Sequence, residues 1–86
     1  MERLRQKDQE AGVEERPLTA AQKAAIAEVR KFYEAKVAER EILHQHALRN
    51  ARTRDDVEKL EAELAQDRER LAGDRDRKVA EIKQAS

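Results

Sequence analysis

The sequence predicts an all-α protein: a two-helix antiparallel coiled-coil hairpin behind a flexible N-terminal segment, assembling into a four-helix bundle. Three observations carry this expectation. No glycine or proline lies between Pro17 and Gly73, and these two residue types most disfavour a helix interior. The composition, 44% charged and 2% aromatic with alanine the commonest residue, is rich in strong helix formers and lacks the β-branched runs of strands. Finally, the apolar residues fall into two stripes that one straight helix cannot bury.

At 100° per residue, Leu18, Ile26, Val29, Tyr33, Val37, Ala47, Leu48 and Ala51 share one face, while Val57, Leu60, Leu64, Leu71, Val79 and Ile82 share another. Carried through residues 48–57 as a single helix, the second stripe emerges rotated from the first by roughly 120°. A reversal near residue 52 turns the stripes toward each other.

Taken in order, residues 1–16 scatter Met1, Leu4 and Val13 around Gly12 and are expected to be a flexible segment. Residues 17–86 form the hairpin. The first helix is placed at about 19–50: Pro17 precedes the cap, Thr19 caps, and Gln22 follows three residues later as in a capping box. Arg49 suits its last turn, and Asn50 is expected to close it in the left-handed conformation. A turn occupies about 51–53. Thr53 then caps a second helix at about 54–84, with Asp55 and Asp56 in the first turn, where the helix dipole favours carboxylates.

Within each arm the stripe repeats every eleven residues, through Ile26, Val37 and Leu48 and through Leu60, Leu71 and Ile82. This period favours nearly straight packing. In the second arm it competes with a heptad reading that puts Asp67 and Asp74 in the seam. The eleven-residue reading puts Arg68 and Arg75 there instead and is preferred, because long arginine stems can lie along apolar surface. Gly73 falls opposite Phe32 and Tyr33, where a small residue is expected to make room for large ones.

Function classes narrow by exclusion. Equal numbers of basic and acidic residues, 19 each, leave no charge excess for phosphates, so nucleic acid is not an expected partner. With no cysteine there is no disulfide framework or thiol chemistry. No apolar run is long enough for a membrane span, and the N-terminus lacks the apolar core of a signal peptide, so the expected location is cytoplasmic. No catalytic constellation, Gly-rich loop or cofactor motif is present. The protein is therefore expected not to be an enzyme and to need no cofactor.

What remains is apolar surface outside the seam. Ala21, Ala25, Phe32 and Leu43 form a second strip on the first helix, and Ala24, Ala35 and Ile42 lie further round. Two helices do not cover all of it, which implies further helices from a second copy or another protein. The expected function is a non-enzymatic interaction or assembly module, working as a homodimer or on a helical partner through Ala25, Phe32, Tyr33 and Leu43.

Two alternatives arise from smaller motifs. Glu41 and His44 form a Glu-x-x-His pair one turn apart, and Glu61 is roughly level with them on the opposite arm. Di-iron carboxylate bundles use such pairs, so a hairpin dimer offers a metal-binding alternative. At the turn, Arg52, Arg54, Asp55 and Asp56 form a charged tip. Its general plan is similar to that of hairpin factors that enter the RNA polymerase secondary channel, which implies a tip-inserting regulator of a large enzyme. Unlike theirs, this tip is mixed in charge, and no globular or zinc-binding part accompanies it.

Overall fold

A computed structural model describes residues 17–85. Two helices, α1 (Ala20–Arg49, 30 residues) and α2 (Arg54–Gln84, 31 residues), pack against each other as a hairpin. At ~1.5 Å per residue each arm is about 45 Å long. The expectation for residues 1–16 lies outside the described residues.

Both helix starts follow local side-chain chemistry. Thr19 Oγ1 accepts from the Gln22 backbone N–H at 3.0 Å, and Gln22 Oε1 accepts from the Thr19 N–H at 2.9 Å, completing the capping box. At α2, Thr53 Oγ1 accepts from the Asp56 N–H at 3.0 Å. The Asp56 carboxylate in turn accepts from the Arg52 N–H at 3.1 Å, so the cap grips the turn from both sides. A Ser, Thr, Asp or Asn cap is worth about 1 kcal/mol.

The end of α1 departs from expectation. Asn50 is not left-handed: its φ is −97° and ψ 0°, and no described non-glycine residue has positive φ. The last turn tightens instead, with the Asn50 N–H donating to Ala47 O at 3.0 Å and the Ala51 N–H to Leu48 O at 3.1 Å. The Asn50 side chain donates to His46 O at 3.3 Å. These bonds satisfy the terminal carbonyls, and the left-handed residue is not needed.

The seam is thin. Among the described residues only Ile26 and Val79 are buried apolar residues, each 8% exposed, and no side chain is fully enclosed. Half-buried Val29, Val37, Leu48, Leu60, Leu64 and Leu71 continue the line between them and the turn. The preference for arginine over aspartate in the α2 seam is corrected at residues 67 and 68. Asp67 lies half-buried in the seam, and Arg68 is exposed. The heptad rule therefore runs from Val57 through Leu60, Leu64, Asp67 and Leu71. At the next step Asp74 and Arg75 are both half-buried, so neither rule prevails there, and Val79 and Ile82 follow on the inner face. The physical reason lies on α1: Arg40 is itself half-buried and supplies Asp67 with a guanidinium across the seam.

Gly73 is also corrected. A side chain added there meets nothing within 4 Å, so no large residue requires its smallness. Its cost is then purely that of glycine in a helix interior. Gly73→Ala should stabilise the hairpin by about 1 kcal/mol, read as a higher midpoint in urea at unchanged slope; a destabilised variant would show a close contact at this position.

Candidate functional site

The strip expected on α1 is solvent-facing at its large residues, Phe32 54% and Leu43 64% exposed, and Ile42, further round the helix, is 56% exposed. Phe32 and Leu43 lie on one face because eleven residues make three turns. Tyr33 and Ala25, expected to share this surface, are half-buried, Tyr33 on the seam stripe and Ala25 on the face of Phe32 and Leu43. The Tyr33 ring meets Phe32 edge-on, with centroids 5.0 Å apart and planes at 83°, so the seam residue braces the exposed one. Lys36 Nζ lies 5.4 Å from the centre of the Phe32 ring, close enough for a cation–π contact.

A groove runs along each side of the seam. The one beside the strip, about 190 Å³, is walled by Lys36, Glu39 and Leu43 of α1 and by Asp67, Arg70 and Leu71 of α2. On the other side a hollow of about 340 Å³ has Tyr33, Val37 and Leu71 as its floor, with Arg30, Arg68 and Arg75 at the rim. Two of those arginines are already neutralised, Arg68 by Glu41 and Arg75 by Asp76. The rim is therefore not a free cationic cluster.

Arg40 and Asp67 make the central polar contact between the arms, Nε to Oδ2 at 2.6 Å. Arg70 adds a longer contact to Asp67 at 3.4 Å. The Arg40 hydrogen bond holds the Asp67 carboxyl below its ordinary value of 3.8; desolvation opposes this, and the charges of Arg40 and Arg70 reinforce it. Folding thus favours the ionised form. The contribution of Asp67 to stability is complete above the pKa of an unfolded aspartate, about 3.9, and is lost as pH falls through the lower folded value. Asp67→Asn should accordingly be less stable than the unaltered protein at pH 7, with the gap closing below about pH 4. A gap that persists unchanged into strong acid would show that the carboxylate charge is not what matters.

The metal candidates are not gathered within one chain. His44 is buried, at 8% exposure, whereas Glu61 is exposed and Glu41 is paired with Arg68. No group of three His, Cys, Asp or Glu residues stands ready to hold a metal among the described residues. His44 Nδ1 is enclosed without a hydrogen-bond partner, a feature that sequence spacing did not signal. At the tip, Arg52, Arg54, Asp55 and Asp56 are all exposed. Asp56 is committed to the turn itself, since its carboxylate holds the Arg52 N–H.

These features define an antiparallel helical hairpin with one uncovered apolar strip. Comparison with protein-family models, curated proteins and solved structures gives no match. No helix among the described residues is long and apolar enough to cross a membrane.

Proposed function

We propose that the protein is a non-enzymatic docking module whose α1 strip receives a further helix, giving a multi-helix assembly. The observation that carries this reading is the placing of its large apolar side chains. Phe32, Ile42 and Leu43 remain more than half exposed on a helix that buries only Ile26 and His44. Such residues are ordinary when scattered singly. Here Phe32 and Leu43 stand on one face, three turns apart, beside a groove that a side chain of a docked helix can enter.

Phe32→Asp tests the reading. The position is exposed, so the isolated hairpin should keep its helicity. Association should weaken by about ten- to hundredfold, the equivalent of burying one large apolar side chain. The measurement is solution mass and melting temperature against protein concentration, since assembly stabilises the folded state by mass action. A heterologous partner captured by the unaltered protein should likewise be lost from the variant. Association that survives both Phe32→Asp and Leu43→Asp would place the docking surface elsewhere.

A further inference from the structure

We infer that the helix received by this strip is α1 of a second copy, laid antiparallel so that the two-fold axis passes between residues 37 and 38. The inference rests on the docking reading above and names its occupant and register. Four residues define the strip at its centre: Phe32, Lys36, Glu39 and Leu43, spaced by four, three and four. At 100° per residue they fall within about 60° of one another on the helix surface, so a neighbouring helix meets all four.

Their order along the strip is apolar, basic, acidic, apolar. A two-fold interface is self-complementary: whatever residue i meets, the residue met also meets i. Opposing Phe32 to the second copy's Leu43 sets the register, and that register alone places Lys36 opposite the second copy's Glu39. By symmetry each contact occurs twice, giving two apolar and two ionic contacts from one short stretch. A parallel arrangement would instead oppose Lys36 to Lys36 and Glu39 to Glu39, which disfavours it.

The surroundings agree with this choice. Neither Lys36 nor Glu39 forms an ion pair among the described residues, in contrast to Glu41, Asp67, Arg68, Asp74 and Arg77. The Lys36 ammonium rests over the Phe32 ring, and no carboxylate among the described residues holds it back from an outside helix. Leu43 forms one wall of the groove that Asp67, Arg70 and Leu71 complete. The second copy's Phe32, arriving at Leu43, finds this groove beside it. A hairpin whose buried apolar core is Ile26 and Val79, with no cysteine to staple it, also belongs to the size range in which association commonly supplies the missing burial.

Charge reversal tests both partner and register. Lys36→Glu alone opposes two acidic pairs and Glu39→Lys alone two basic pairs, and each should weaken dimerisation about tenfold by sedimentation analysis. The double variant restores opposite charges across the axis and should recover the original dimerisation. Because the chain lacks cysteine, crosslinking gives an independent reading at exposed positions away from the axis. Glu28→Cys chains mixed with His46→Cys chains should form a disulfide-linked hetero-pair. Neither variant should crosslink to itself, because identical positions then stand more than about 25 Å apart.

A dimer that crosslinks Glu28→Cys to Glu28→Cys would overturn the antiparallel register while leaving self-docking intact. A dimer indifferent to the charge reversals would overturn the Lys36–Glu39 pairing. A monomer at every concentration reached would overturn the second copy as occupant; the docking reading itself then stands or falls separately, on whether Phe32→Asp releases a heterologous partner. Helicity measured on each variant keeps loss of folding from being counted as loss of docking.

Discussion

Ile26→Ala is expected to melt the open end of the hairpin. Truncating a buried isoleucine costs about 2–4 kcal/mol, because the lost methyl groups leave a space that the surroundings only partly fill. Here the loss falls on one of the two buried apolar residues described, in a hairpin, residues 17–85, whose size rarely supports more than about 3–5 kcal/mol from its core. Ile26 lies one helical turn beyond Gln22, and Val79 three residues before Ile82, whose carbonyl accepts from Gln22 at 3.0 Å. Both buried residues therefore belong to the same end. Melting followed by circular dichroism should lose its cooperative step at physiological temperature, whereas Ala24→Gly, at an exposed position, should cost only about 1 kcal/mol. Equal effects from the two changes would mean that the seam contributes no more than helix propensity.

The largest gain is expected from His44→Leu. The imidazole is buried with Nδ1 facing no partner, and an unsatisfied buried polar atom costs about 1–3 kcal/mol. Leucine removes that atom and adds apolar area in the seam, so the hairpin should become more stable by a similar amount, with a melting temperature higher by about 4–8 °C per kcal/mol. The same substitution examines the metal alternative. If His44 and Glu41 were ligands in a dimer, the unaltered protein would gain melting temperature on addition of ferrous or zinc ions, and His44→Leu would abolish that gain. A variant less stable than the parent in metal-free buffer would show that the imidazole makes a favourable contact.

Where local chemistry decides the backbone, the sequence was readable almost to the residue. Thr19 with Gln22 and Thr53 with Asp56 are contacts over three residues, and both helices begin where those pairs place them. The reversal was readable as well, because two apolar stripes out of phase can share a seam only by turning back. Sequence spacing failed where the deciding partner lies on the other arm. Asp67 enters the seam because Arg40 waits there, 27 residues away, and nothing in the spacing of α2 announces it. The level of Gly73 opposite the aromatics suggests a packing role, yet the space around it is open. Asn50 has the residue type for a left-handed cap, but the tightened last turn already satisfies the carbonyls. For the candidate surface, angular position identified Phe32 and Leu43 as outside the seam. It also set Tyr33 on the seam stripe, where the ring is half-buried, but gave no sign that this ring braces Phe32.

Gln22 ties together two places that are far apart along the chain. Its amide oxygen receives the Thr19 N–H, while its amide nitrogen donates to Ile82 O at 3.0 Å and to Ala85 O at 2.7 Å. One side chain thus caps the beginning of α1 and the end of α2 at once. The contacts to α2 span 60 and 63 residues, the widest separation in the hairpin's hydrogen bonding. A chain that zips from its turn pays little loop-closure entropy at each successive rung, so this bond is expected to form last. Fraying reverses the order: when the end of α2 lifts, the Gln22 amide loses the two carbonyls that orient it at the α1 cap. The start of α1 and the end of α2 are therefore expected to open together, with faster exchange of the Gln22 side-chain amide protons as the sign of that opening.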